Sequence, residues 1–160
     1  MSTNATEQAA KRETTIEADP NLPTIRIVRD FDAPPDKVFR AWIDPELVAQ
    51  WLGPKSTEMR IDQWDARTGG NYRYASVQGG EEVAAFYGSF HEVRPNERLV
   101  QTFTWEGMPD GVSLETMTFE DLGGGRTRTI GLSLVDNLEG RDAIMASGME
   151  VGVYEGYEKL

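Results

Sequence analysis

The chain has 160 residues and a mass of 17.9 kDa, the size of one domain built on a single core. Its 16 Lys+Arg against 27 Asp+Glu leave a formal charge of −11 and a pI near 4.5, which sets it against phosphate backbones and anionic membranes and excludes nucleic acid as an expected partner. Zero Cys removes disulfides, thiolate metal sites and thiol nucleophiles, one His removes a multi-histidine metal centre, and a mean hydropathy of −0.49 accompanies the lack of any apolar run near a membrane span. No cofactor and no metal are expected.

Residues 1–12 carry no apolar stretch behind a basic start, so they do not read as a secretory signal and the protein is expected in the cytoplasm. In that setting the Asn4-Ala5-Thr6 sequon is a chance match. Residues 1–23 read as a polar tail in which the β-prone Thr14-Thr15-Ile16-Glu17 forms a short edge strand, stopped by Asp19-Pro20. Residues 24–160 are expected to form the domain.

From Thr24 to Phe31 the period is two, with Ile25, Ile27, Arg29 and Phe31 on one side of a half-buried strand. Pro34-Pro35 ends it. Val38, Phe39 and Trp42 then recur at helical spacing, Asp44-Pro45 interrupts, and a second short helix carries Leu47, Val48 and Trp51 to a stop at Gly53-Pro54. Six β segments follow, at Thr57–Trp64, Asn71–Val77, Val83–Val93, Arg98–Trp105, Val112–Glu120 and Arg126–Leu134, separated by glycine-rich and proline-containing turns. Links this short imply antiparallel neighbours. Bulky residues mark one face: Met59, Ile61, Phe86, Phe90, Leu99, Phe103, Trp105, Val112, Leu114, Ile130, Leu132 and Leu134. From Leu138 to Leu160 the period becomes 3.6, with Ile144, Met145, Met149, Val153 and Tyr157 on one side, which predicts one long terminal helix. The expected fold is α+β: a curved antiparallel sheet of six to seven strands wrapped around that helix.

The sequence contains no nucleophile elbow, phosphate-binding loop, dinucleotide fingerprint or zincin motif. His91 falls opposite Phe86 and Phe90 on its strand, where a surface role is expected before a catalytic one. Glu58 and Asp62 fall opposite Met59 and Ile61, in water, where carboxylates keep ordinary acidity. Asp65 and Arg67 read as a brace for the Thr68-Gly69-Gly70 turn. Gly148, Gly152 and Gly156 recur every four residues in the terminal helix, where each costs about 0.5–1 kcal/mol against Ala. Two accounts are open: close packing of the helix backbone, or room for a cavity between helix and sheet lined by Met59, Trp64, Phe86, Phe90, Phe103, Trp105, Met117 and Met149. Arg73, or else Tyr72 and Tyr74, would be its polar handles, since alternation lets only one of these sets face inward.

Four separated strings, RDFDAPPDKVFRAWIDPELVAQWLGP (29–54), DARTGG (65–70), GSFHEVRPNERLVQTFTWEG (88–107) and RDAIMASGMEVGVYEGYEKL (141–160), resemble proteins similar to the C-terminal domain of the activator of heat shock protein 90 ATPase. These belong to the START-like, birch-pollen-allergen-like superfamily. The resemblance implies a helix-grip fold with a cavity beneath the last helix. Relatives of that fold bind lipids, sterols, polyketides or hormones, and some are cyclases or dehydratases, with no shared catalytic residue set. The leading expectation is therefore a module that holds an apolar or amphipathic small molecule. One alternative is an enzyme using the same cavity. Another is a co-chaperone that presents Trp42 and Trp51 to a chaperone partner, although the eponymous co-chaperones carry a separate N-terminal domain and only residues 1–23 precede the grip domain here. Oligomeric state is left open, a homodimer being one alternative.

Overall fold

The computed structural model describes residues 14–159; most of the polar tail, with the Asn4 sequon, and Leu160 lie outside them. Eight strands form one sheet: β1 (Thr14–Ala18), β2 (Thr24–Phe31), β3 (Glu58–Trp64), β4 (Asn71–Gln78), β5 (Glu81–Arg94), β6 (Arg98–Trp105), β7 (Ser113–Gly123) and β8 (Arg126–Leu134). All neighbours are antiparallel, in the order β1-β2-β8-β7-β6-β5-β4-β3. The eighth strand, beyond the expected six or seven, is β1 at the edge.

This order forces a crossing. Strands β3 to β8 run as a meander, but β2 pairs with β8, so the chain between β2 and β3 must travel from one side of the sheet to its far edge. Helices α1 (Pro35–Ile43) and α2 (Pro45–Trp51) make that journey. Pro34 and Pro35 set the entry to α1, and the Asp44 carboxylate accepts the Glu46 N–H at 3.0 Å to start α2. Trp42 and Trp51 meet at 4.9 Å between ring centres, and Trp42 also packs edge-on against Phe31 and Phe119 of the sheet.

The registers define the inner face. It carries Ile25, Ile27, Arg29 and Phe31 on β2, Thr127, Thr129, Gly131 and Ser133 on β8, Ser113, Glu115, Met117 and Phe119 on β7, and Leu99, Gln101 and Phe103 on β6. Phe86, Gly88 and Phe90 on β5 and Tyr72 and Tyr74 on β4 complete it. Register shifts in β3, β4 and β5 add curvature, and the one at Phe90/Glu92 leaves His91 exposed as expected.

The bulky-face reading is corrected at one end. Val112 lies just outside β7, Leu114 lies opposite Leu134 on the outer face, and all three are exposed, as is Leu132. The inner positions of β8 are small instead: Thr127 donates its hydroxyl to the Ala33 carbonyl at 2.7 Å where the chain leaves β2, and Thr129 donates to the Arg29 carbonyl of the paired strand at 3.1 Å. Trp105 is likewise 47% exposed, at the last position of β6.

The single terminal helix is also corrected. It is two helices, α3 (Leu138–Ala146) and α4 (Met149–Lys159). The Asn137 side chain accepts the Gly140 N–H at 2.7 Å to open α3, and Gly148, at φ +83°, breaks the run in a left-handed conformation that side chains disfavour. The three glycines are therefore not one helical stripe. Gly148 is a hinge between helices, a Cβ on Gly152 would meet Pro54 at an ordinary 3.7 Å, and a Cβ on Gly156 would stand 2.8 Å from the Trp51 carbonyl oxygen. At Gly156 close packing is the account that holds, because α4 seats Tyr157 among Phe31, Trp42 and Trp51.

Alanine substitutions should separate these roles. Gly156→Ala should destabilise by about 1–3 kcal/mol through overpacking, and Gly148→Ala by about 1 kcal/mol or more through its backbone angle. Gly152→Ala should stabilise by about 0.5–1 kcal/mol. Urea melts of the three variants provide the check.

Candidate functional site

Aromatic side chains line the inner face from β3 to β6. Trp64 packs on Tyr72 and Phe90, Tyr72 stacks on Tyr74 at 5.9 Å, Tyr74 meets Phe86 at 5.2 Å, and Phe86 stacks on Phe103 at 5.2 Å. One glycine makes this possible. Gly88 lies opposite Tyr72, and a Cβ there would fall 2.0 Å from the Thr102 carbonyl oxygen and 2.7 Å from the Tyr72 hydroxyl. Without it, the Tyr72 ring reaches over β5, donates to the Thr102 carbonyl at 2.5 Å and accepts from the Gln101 side chain at 3.2 Å.

Polar groups interrupt this lining. Glu115 is partly buried at the middle of β7, opposite Gln101 on one side and Ser133 on the other. Ser113 donates to one carboxyl oxygen at 2.7 Å and Ser133 to the other. Burial pushes the Glu115 carboxyl above its ordinary value, against the lowering effect of the two hydroxyls. Burial, with the nearby Glu115, likewise raises the phenols of Tyr74 and Tyr157, so both are neutral donors at physiological pH. The Tyr74 and Tyr157 residues are only 8% and 6% exposed, and their hydroxyls have no hydrogen-bond partner among the described residues. A hydroxyl held this way can donate to a bound water or ligand atom.

The residues expected to share one cavity divide among several places. Phe86, Phe90, Phe103 and Met117 are on the inner face, and Met149 is half-buried at the start of α4. Met59 and Trp64 are on the same inner side at the β3 edge, where they border a depression of about 540 Å³ between α2 and β3, and the Trp64 indole N–H donates to the Ile43 carbonyl at 2.7 Å. Another depression, about 420 Å³, lies on the outer face at Arg26, Val28, Asp30 and Arg128. Arg73 is corrected outright. It lies on the outer face, where its guanidinium pairs with Asp62, with Glu82 at 3.4 Å and with Glu106 at 2.8 Å, while Arg60 joins Asp62 and Glu82. The hydrogen bond from Arg60 holds the Asp62 carboxyl below its usual value, as suits an ionised surface group. The tyrosines are the set that turns inward.

Glu115, Ser113, Ser133 and Gln101 carry no signal of their own in the sequence, and Tyr157 reads there only as part of the apolar side of the terminal helix. The signal lay in the alternation around Met117: residues two apart share a face, so Met117 carries Glu115 inward with it.

The architecture is an α+β helix-grip domain whose curved antiparallel sheet presents an aromatic inner face with a few polar groups. The chain belongs to the activator of Hsp90 ATPase homolog 1-like family, whose sequence pattern it matches over residues 32–160. A protein from Chromobacterium violaceum is 28% identical, with 86% of this chain and 93% of that one covered at a TM-score of 0.71. One from Arthrobacter aurescens is 25% identical, with 90% and 87% covered and a TM-score of 0.81. DynU16, a protein of the dynemicin biosynthetic locus, shares the fold at 23% identity and a TM-score of 0.64, with 84% of this chain and 45% of that chain covered. A comparison with curated proteins finds no match. No helix of the described residues is long and apolar enough to cross a membrane.

The raised Glu115 carboxyl has a signed consequence. Above the ordinary value of 4.5 the unfolded chain ionises more readily than the folded one, so this group erodes stability as pH climbs from there to its folded value. Glu115→Gln, which keeps both serine contacts possible, should therefore raise the melting temperature at pH 7. The gain should shrink to nothing near pH 4, as followed by thermal melts across that range.

Proposed function

We propose that the protein binds a small amphipathic molecule on the inner face of the sheet, beneath the C-terminal helices. The observation that supports this reading best is the Tyr74 hydroxyl: a donor without a partner among the described residues, on a buried ring, inside a row of packed aromatics. The hydroxyl oxygen is not itself enclosed, so a water or a ligand atom can reach it and accept from it. Apolar lining with few, placed polar groups is what small-molecule sites use. Affinity would come from burial at about 25 cal/mol per Å² of apolar surface.

The alternatives have less to rest on. An enzyme built on Arg73 loses its polar handle to the outer face. A co-chaperone surface built on Trp42 and Trp51 loses both rings to the core, at 9% and 6% exposure, with the Trp51 indole N–H donating to the Ala41 carbonyl at 2.7 Å.

The uncharged probe N-phenyl-1-naphthylamine should brighten and shift to the blue on adding the protein, and should raise its melting temperature. Tyr74→Phe should leave the melting temperature of the free protein unchanged while weakening 1-naphthol, which can pair with the hydroxyl, about two- to tenfold. Absence of any probe response in fluorescence and melting contradicts the proposal.

A further inference from the structure

Glu115 lies on the inner face beside the aromatic row, and among the described residues no ion pair reaches it. Its partners among the described residues are neutral: the Ser113 and Ser133 hydroxyls, one on each oxygen. The ion pairs of the described residues use other carboxylates, chiefly on the outer face and at the surface. A carboxylate can accept about four hydrogen bonds, so two accepted ones leave room for more.

The surroundings narrow what could complete it. Gln101 lies directly across from Glu115 and holds the Tyr72 hydroxyl, so the acid stands at the end of the tyrosine row. Phe103 lies opposite Ser113, and Phe86 stacks on Phe103. Aromatic faces around a lone carboxyl are the combination that attracts a desolvated ammonium, through the ring quadrupoles and the charge together. An anionic head would meet like charge at Glu115, inside a chain of net charge −11. A neutral hydroxyl would leave the desolvated acid without a counter-charge.

We infer that Glu115 anchors a protonated amine: the ligand is an aromatic or alkyl ammonium whose N–H groups donate to the Glu115 carboxylate and whose apolar body lies against Tyr72, Tyr74, Phe86 and Phe103. This rests on the inner-face binding proposed above and names the class of molecule that face takes. An acid that burial holds toward its neutral form becomes fully ionised once such a cation arrives, so charge recognition and ligand uptake are one event.

Three indoles of matched size test it by displacement of N-phenyl-1-naphthylamine at pH 7.5: tryptamine, tryptophol and indole-3-acetate, carrying a cationic, a neutral and an anionic head. In the native protein tryptamine should compete about tenfold more strongly than tryptophol, and indole-3-acetate most weakly. Glu115→Gln, checked for folding by its melt, should cancel the tryptamine advantage, leave tryptophol within about twofold and retain the naphthylamine probe. Tryptophol or indole-3-acetate competing as well as tryptamine in the native protein overturns the anchor, as does a tryptamine advantage that survives in Glu115→Gln. In both cases the bound naphthylamine probe leaves the binding face itself standing. A native protein that takes up no probe at all overturns the binding face and its anchor together.

Discussion

The packing of Trp42, Trp51 and Tyr157 against Phe31 and Phe119 joins every layer of this molecule. The strand order obliges α1 and α2 to cross the sheet, and these five rings are where the crossing is fastened. Tyr157 brings α4 into the same contact, and Gly156 lets the helix backbone approach the Trp51 carbonyl closely enough for the ring to seat. Because aromatic pairs contribute about 0.5–1.5 kcal/mol each beyond their burial, several sharing one centre hold the layers together. The tyrosine and phenylalanine row on β4 to β6 continues the same hydrophobic core toward β3.

That row depends on a second, smaller constraint. Tyr72 reaches the β6 backbone only because Gly88 has no side chain, and its hydroxyl accepts from Gln101, which the strand register sets opposite Glu115. Hydroxyl, amide, carboxyl and the two serines thus form a polar line across strands whose other inner residues are mostly apolar. An acid in such a place costs stability in the free protein. The proposals above give that cost a use, namely the recognition of a charged head on an otherwise apolar guest.

Much of the fold was legible in the sequence because its signals are local. Period-two runs, proline at helix starts and glycine turns located the strands from Thr24 onward and both short helices. The family resemblance pointed to the helix-grip arrangement, and the family pattern over residues 32–160 agrees. What could not be read depended on register. Leu114, Leu132 and Leu134 looked like core because they are bulky, yet the register puts Thr, Gly and Ser on the inner side of β8 and turns these leucines outward. Arg73 looked like a handle until its outer-face partners on β3, β5 and just past β6 were in place. Gly148 belonged to a regular spacing that its own left-handed backbone then broke. Glu115 went unnoticed because an acid in a strand reads as solvent-facing until a neighbour's side is known.

The central claim is that the inner face, between the tyrosine row and Met117, is where a small molecule lies. Intermolecular nuclear Overhauser contacts from bound N-phenyl-1-naphthylamine to the protein's aromatic and methyl protons test this directly. The account predicts contacts to the rings of Tyr74 and Phe103 and to the Met117 methyl group. Contacts instead to the exposed methyls of Leu114, Leu132 and Leu134 would place the probe on the outer face and contradict it.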